Sequence, residues 1–364
     1  MSQRFEAGDV EGAKKAGVID EATADRLASF LKDSGDPGAA ADNESLRFLT
    51  NFNDVFLSVG LVLLSAGIAV GSGMLFAGTG NMILVGLPVV IALWIMLEYF
   101  AGRRRLLLPS MTLSVMITWI GSALFAIIAS GFSDLTDPDF NLISQGMQAV
   151  SEVGIWASIG ALVSAAVIFL RFRLPFSFFL MAVSAASLVF VSFARLGGDP
   201  GTLIGASLML ITGFVTLAIA CVFDMRDPDR ASLTSDNGFW LNFAAAPQII
   251  IGLGILLDAL GMPLRAMPGA VFFIAALIPL ALLSLALNRR ALIAASLISF
   301  WIAVTAIVSE TSPGNTLQEV VLALLLTGGG VVLLSSGWKT ARRMVLSALP
   351  GGASGSRLFP PEPA

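Results

Sequence analysis

The side chains that could do chemistry in this chain are concentrated in one stretch, residues 223–252, which reads FDMRDPDRASLTSDNGFWLNFAAAPQIIIG. A charged turn, in which aspartates alternate with arginines, leads there into an apolar segment with two amides and a proline. Ser235 or Asp236 can cap the helix that starts at this point. Trp240 follows about one turn later, at a depth where an indole ring favours the membrane interface. The candidate functional or structural residues are Asp227, Arg230, Asp236, Trp240, Asn242, Pro247 and Gln248.

Pro247 and Gln248 are the pair best suited to a binding site. A proline removes the backbone hydrogen bond to the carbonyl four residues earlier, here that of Phe243, and kinks the helix. Gln248 can donate to a carbonyl that the kink frees, or to a neighbouring helix. Two interpretations stay open: a kinked packing helix whose amides find partners nearby, or a small-molecule or ion site at the kink. In both, we expect Gln248 to face the interior of a helix bundle rather than lipid.

The residue types that the chain lacks exclude several kinds of chemistry. There is no histidine, which excludes histidine-dependent triads and histidine-ligated haem or zinc. The single cysteine, Cys221, cannot form an internal disulfide or hold an iron–sulfur cluster. The aspartates of DMRDPD are interleaved with arginines, which favours a charge-neutralised cap over a magnesium site. We therefore predict no catalytic, cofactor-binding or metal-binding residues, and a protein that is not an enzyme.

Composition identifies the fold class as all-α integral membrane protein. The 364 residues are 56% hydrophobic and only 13% charged, and the apolar residues come in runs long enough to span a bilayer. The formal net charge of −4 disfavours nucleic acid as a partner. About ten spans are predicted, at residues 55–77, 82–100, 107–132, 153–170, 174–194, 203–223, 238–257, 268–287, 291–308 and 320–337.

The basic residues predict the orientation of these spans. Alternate connections and both terminal regions contain 19 of the 21 lysines and arginines, whereas the other side has only Arg195 and Arg265. The positive-inside rule therefore places both termini in the cytoplasm and residues 133–152 outside it. The ionisable residues of the spans lie near span ends: Glu98 close to Arg103, with which it can pair, and Asp258 close to Arg265. No carboxylate or lysine is expected at mid-membrane, so the sequence does not indicate proton or sodium coupling.

Four regions follow one another along the chain. Residues 1–43 are predicted to form a cytoplasmic helix pair, its second helix capped by Asp20, followed by a linker. Residues 44–54 are predicted to form a juxtamembrane helix, residues 55–338 the ten-helix bundle, and residues 339–364 a disordered cytoplasmic tail. Three groups of small residues are expected to permit close helix packing within the bundle: Gly67 with Gly71, Gly160 with Ser164, and Gly328–Gly330.

Three segments resemble a known family: FDMRDPDRASLTSDNGFWLNFAAAP, GVIDEATADRLASFL and SLRFLTNFNDVFLSVGLVLL. They resemble uncharacterised bacterial multi-spanning inner-membrane proteins of the domain-of-unknown-function class, which have a short soluble helical N-terminus and eight to ten spans. The resemblance implies a multi-pass protein of the bacterial inner membrane. It supplies no activity.

The span count and orientation favour a carrier for a small solute or a lipid. Ten spans with both termini inside is the layout of drug/metabolite-type permeases, whose inverted halves would here be residues 55–194 and 203–337. The alternative is a non-enzymatic scaffold or assembly protein that docks a partner through its N-terminal helix pair. The lipid bilayer is the expected environment, and a protein partner or a homo-oligomer stays open.

Overall fold

The computed structural model describes residues 14, 18–20, 22–27, 52–130, 146–227, 233–264, 266–287, 300–308 and 316–348. The chain divides into two units, one comprising Met1–Ser45 with Pro360–Ala364 and the other comprising Leu46–Phe359. The described residues contain helices, turns and short connections, and none of them is in a β-strand. The predicted all-α class is therefore confirmed.

Ten helices with fully described bounds make up the larger unit. They are α1 (Phe52–Phe76), α2 (Met82–Leu97), α3 (Leu107–Ser130), α4 (Gly146–Phe172), α5 (Phe176–Arg195), α6 (Leu203–Arg226), α7 (Leu233–Ala259), α8 (Met267–Leu287), α9 (Thr316–Ser336) and α10 (Trp338–Ala348). A π-helical turn, Glu98–Arg104, continues α2, and residues 300–308 form a further helical stretch.

Eight of these helices, α1 to α8, are long and apolar enough to cross a membrane. The chain is therefore a multi-pass membrane protein, and each of the first eight predicted spans coincides with one helix to within a few residues. Of the ninth predicted span, residues 291–308, the second half, 300–308, is helical, and residues 291–299 lie outside the described residues. The tenth corresponds to α9, whose apolar part is Val320–Leu333.

Four buried clusters hold the helices together, one of which joins residues 300–308 to α9 through Val304, Val308 and Ala323. Of the other three, one contains residues of α1, α2, α3 and α4 and is centred on Leu93, Leu113 and Ile168. A second joins α6, α7, α8 and residues 300–308 around Phe273. The third connects α3, α4, α5 and α7 and includes Trp240. Because lipid tails are as apolar as these side chains, van der Waals contact holds such helices together more than the hydrophobic effect does.

The small residues of α3 and α4 permit the close packing that the sequence predicts. A Cβ on Gly160 would lie 2.5 Å from the Cβ of Phe125, and one on Gly121 would lie 2.7 Å from the Ser164 hydroxyl. The same expectation is wrong for Gly67 with Gly71 and for Gly328–Gly330. No atom lies within 4 Å of a Cβ placed on any of these five glycines, so they are not packing contacts of the described bundle.

The connections α2–α3, α4–α5 and α6–α7 lie at one end of the bundle, which we call the basic end because of its arginines. There Glu98 forms an ion pair with Arg171 of α4 rather than with Arg103, which is nearer in sequence. At the other end, here called the opposite end, Glu152 and Arg195 approach to 3.7 Å. The first pair joins α2 and α4, which run parallel, and the second joins α4 and α5, which run antiparallel.

The structure corrects the predicted C-terminal tail. Residues 339–348, predicted to be disordered, belong to α10, and only residues 349–364 remain outside the described part. Trp338, Arg342 and Leu346 recur every four residues and are all buried, so one face of α10 packs against the bundle, where it contacts α8. This four-residue spacing of buried side chains is typical of a helix. The composition of the tail, on which the prediction of disorder was based, does not reveal it.

In the N-terminal unit the predicted cap at Asp20 is confirmed. The Thr23 amide donates to the Asp20 carboxylate at 3.2 Å, and residues 22–27 are helical. Hydrogen bonding from the Thr23 side chain, and to a smaller extent from the Thr23 amide, holds the pKa of Asp20 below its ordinary value. The other predicted helix of the pair, the linker and residues 44–51 lie outside the described residues. Residues 52–54, predicted as the end of the juxtamembrane helix, form the first turn of α1.

Candidate functional site

Helices α6 and α7 run antiparallel and pack closely because glycines line their contact. A Cβ on Gly213 of α6 would lie 2.7 Å from Cγ1 of Ile249. A Cβ on Gly252 of α7 would lie 2.9 Å from the backbone nitrogen of Leu210. Polar side chains held between the two backbones are therefore shielded from both lipid and water, and two of the candidate residues, Asn242 and Gln248, lie here.

Asp224 and Asn242 meet at this contact, near the basic end. The Nδ2 of Asn242 donates to Oδ2 of Asp224 at 3.2 Å and to the carbonyl of Gly238 at 2.9 Å. Asp224 is 4% exposed and Asn242 is fully buried. The Oδ1 of Asn242 has no hydrogen-bond partner within the described part of the chain. Gly238 creates the space for the pair, since a Cβ there would lie 2.5 Å from Oδ1 of Asp224.

Gln248 lies further along α7, beside the proline. It is 4% exposed, so the expectation that it faces the interior is confirmed. Its Nε2 donates to the Ala244 carbonyl at 3.1 Å, which is one residue beyond the Phe243 carbonyl that Pro247 frees. The hydroxyl of Thr216 on α6 lies 3.5 Å from the Gln248 Oε1, although its shorter bond, 2.8 Å, is to the Thr212 carbonyl. Asn242 and Gln248 of α7 thus both contact α6.

Trp240 is part of an aromatic cluster inside the bundle. Its ring meets that of Phe176 edge to face, with centroids 4.7 Å apart, and it also contacts Phe179 and Phe243. Its side chain is buried against α3, α4 and α5 as well. The indole therefore packs against protein, and its depth at the membrane interface stays a prediction.

The charged candidates lie at the ends of α6 and α7. Asp227 is the C-cap of α6, where its amide donates to the Asp224 carbonyl at 3.3 Å. Asp236 is in the first turn of α7 and is partly buried. Because α7 begins at Leu233, Ser235 and Asp236 lie within the helix, and the prediction that one of them is its cap is wrong. Arg230 lies outside the described residues.

A cavity of about 270 Å³ lies beside Pro247 and Gln248. It extends from the middle of α7 toward the opposite end, between α5, α6 and α7. Its apolar lining includes Val183, Ala186, Phe190, Met209 and Ile251. Val183 is 41% exposed and Ile251 is 49% exposed, so the cavity borders the outer surface of the bundle. Its volume is close to the lower end of the usual range for ligand pockets, roughly 300 Å³.

Metal ligands do not converge at this place. Among the described residues, no three acidic or cysteine side chains are close enough together to hold an ion. Cys221 is partly buried and packs against the cluster around Phe273, as expected for a small apolar side chain.

Two residues of this contact were missed by the sequence reasoning. Asp224 was predicted to lie in the charged turn with the other aspartates, and Thr216 was not among the candidate residues. Both belong to α6, which continues to Arg226, and a spacing of four residues links Thr216, Ala220 and Asp224 on one face. That spacing, together with Gly213 one turn earlier, is the signal that would have located them.

Comparison with protein-family models, curated proteins and solved structures gives no match to this chain. The resemblance to bacterial inner-membrane proteins therefore stays a prediction.

Proposed function

We propose that this protein is a carrier for a lipid or another apolar molecule in a bacterial inner membrane, with both termini in the cytoplasm. It is not an enzyme, and its substrate leaves it chemically unchanged. The cavity beside Pro247 and Gln248 is the observation on which the proposal rests. Membrane transporters commonly place their sites near mid-bilayer, and Pro247, which cannot donate a backbone hydrogen bond to the Phe243 carbonyl, lies near the middle of α7.

The lining of the cavity favours an apolar substrate over a polar solute. No charged side chain lines it. Its two polar side chains already have partners, since Gln248 bonds to Ala244, and Ser187 lies 3.0 Å from the hydroxyl of Ser158. A sugar or an amino acid would leave its own polar groups unpaired there, which costs free energy in an apolar site. A hydrocarbon chain carries no such cost.

The position of the cavity supports entry from the membrane itself. Val183 on α5 and Ile251 on α7 line it and are half exposed at the surface of two helices that are long enough to span the bilayer. The surroundings at that depth are lipid tails. An acyl chain can therefore enter laterally between α5 and α7 without passing through water.

Reconstituted full-length protein can test this function. Liposomes receive a phospholipid with a fluorescent headgroup, and an impermeant quencher reports its movement between leaflets. We expect the wild type to accelerate that movement and Ala186→Phe, which fills the cavity, to abolish the acceleration. Ala185→Phe is the matched control, because Ala185 is adjacent, exposed and outside the lining. Wild-type movement of lipid and of other apolar probes at the rate of protein-free liposomes would contradict the proposal.

The scaffold alternative has one observation in its favour. In the N-terminal unit Val18 is 74% exposed and Leu27 is 43% exposed, which offers apolar contacts to a partner. Crosslinking from this segment in cells separates the two functions. A single abundant partner, together with an unchanged membrane-lipid profile in a deletion strain, would favour the scaffold.

A further inference from the structure

We propose that Asp224 is a proton-binding site at the α6–α7 contact, with Asn242 as its hydrogen-bond partner. The site is separate from the cavity and does not depend on the carrier function. Ionisable side chains inside membrane-spanning segments are expensive to bury, and where they occur they commonly bind or relay ions. The sequence indicated no such group, because Asp224 was expected in the charged turn.

The position of Asp224 is the first observation that supports the site. The carboxylate is buried within a helix long enough to span the membrane and lies only two residues from its end, or about 3 Å along the helix axis. Protein shields the group itself, whereas water at the basic end is close enough to deliver a proton. A proton that binds there converts the carboxylate to a neutral acid, and its release to water reverses the step.

The contact with Asn242 suits both forms of the carboxyl group. Nδ2 donates to Oδ2 of Asp224 at 3.2 Å, and an oxygen of a neutral acid accepts such a bond as well as an ionised one does. The other oxygen, Oδ1, lies in the space left by Gly238, and the Ala220 carbonyl borders the same space.

The unpaired oxygen of Asn242 is the second and independent observation. Asn242 is fully buried, and its Oδ1 accepts no hydrogen bond within the described part of the chain. The orientation of the amide is set by the two bonds that its Nδ2 donates to Asp224 and Gly238. Buried polar atoms are nearly always paired, so an unpaired acceptor next to a carboxylate indicates a ligand with a hydrogen to donate. Water that carries the proton is such a ligand.

The other titratable groups on the packed elements are few. α8, which packs on α7, has no charged residue. Arg226 lies over the ring of Phe223 at 5.9 Å, and Arg173 lies over the ring of Phe169 at the same distance. The remaining groups on α5, α6 and α7 in the described part of the chain are Arg195, Cys221, Asp227, Asp236 and Asp258.

Infrared difference spectra of the purified full-length protein can test the site. Spectra are recorded between successive pH values, and the C=O stretch of a protonated carboxyl group is followed. We expect the wild type to show a titrating band that is absent from Asp224→Asn. The band should persist in Asp258→Asn, because Asp258 is exposed and lies at the other end of α7. Identical difference spectra for the wild type and a folded Asp224→Asn would overturn the proposal.

A second variant covers the case in which Asp224→Asn does not fold. Asn242→Leu keeps the carboxyl group and removes its donor, so we expect the band to remain but to move in frequency. A band unchanged in Asn242→Leu would show that the titrating group is not Asp224.

Repeating the wild-type titration in sodium and in choline separates a proton site from a sodium site. A midpoint that follows the sodium concentration would overturn the assignment to a proton.

Discussion

The amide nitrogen of Asn242 on α7 lies 3.2 Å from a carboxylate oxygen of Asp224 on α6, at a place where Gly238 leaves room for both side chains. This contact fixes how the two helices pack near the basic end. It also shows that a charged side chain of the DMRDPD stretch belongs to the interior of the bundle. The α6–α7 pair therefore combines close backbone packing with buried polar groups.

Gly238→Ala should destabilise the protein, because the new Cβ would lie 2.5 Å from Oδ1 of Asp224. We expect a loss of about 1–3 kcal/mol in the free energy of unfolding, as is typical of overpacking. Gly254→Ala on the same helix is the matched control, since nothing lies within 4 Å of its Cβ. Unfolding in mixed detergent micelles measures both. Equal stability of the two variants would show that Gly238 is not a close contact.

Gln248→Leu should lower the free energy of unfolding by ~0.6–2 kcal/mol, the usual size of one hydrogen bond inside a membrane. The 3.5 Å contact with Thr216 is long, and the Thr216 hydroxyl already donates to Thr212. A double-mutant cycle with Thr216→Val should therefore give a coupling energy well below that of the single substitution. A large coupling energy would mean that Thr216 donates mainly to Gln248.

The spans could be predicted from sequence because they depend only on the length of apolar runs. The site could be predicted only in part. Gln248 was predicted to face the interior because a polar side chain at mid-membrane finds no hydrogen-bond partner among lipid tails. Asp224 was not, because its burial depends on where α6 ends, and a difference of three residues moves it from a turn into a helix. The cavity is lined by residues of three helices, so the spacing of residues within any one helix does not predict it.

The cap at Asp20 predicts a pH dependence in the N-terminal unit. Hydrogen bonds from Thr23, first from its side chain and then from its amide, lower the pKa of Asp20, so the cap stabilises the helix above the ordinary aspartate pKa of about 3.9. That stabilisation is lost as the pH falls through the lower pKa of the folded state. The amide chemical shift of Thr23 should follow this titration in the wild type. Asp20→Asn keeps the cap without a titrating group, so its shift should stay constant. Titration of that amide in Asp20→Asn would contradict the assignment.

The predicted orientation can be tested with reporter fusions at Asp139 and Ala353. Alternate connections contain nearly all the basic residues, so the positive-inside rule places Asp139 outside the cytoplasm and Ala353 inside it. A phosphatase fusion should be active only at Asp139, and a fluorescent-protein fusion only at Ala353. Activity of the same reporter at both positions would mean that the span count between them is wrong.

The cavity beside Pro247 and Gln248 carries the proposed function, and photo-crosslinking tests it most directly. The full-length protein is placed in lipid nanodiscs with a phospholipid that has a photoreactive group on its acyl chain, and the adducts are located by mass spectrometry. We predict adducts concentrated in residues 183–191 and 244–251, lost in Ala186→Phe and retained in Ala185→Phe. Adducts spread evenly over the exposed faces of α1 and α9, and unchanged in Ala186→Phe, would contradict the account.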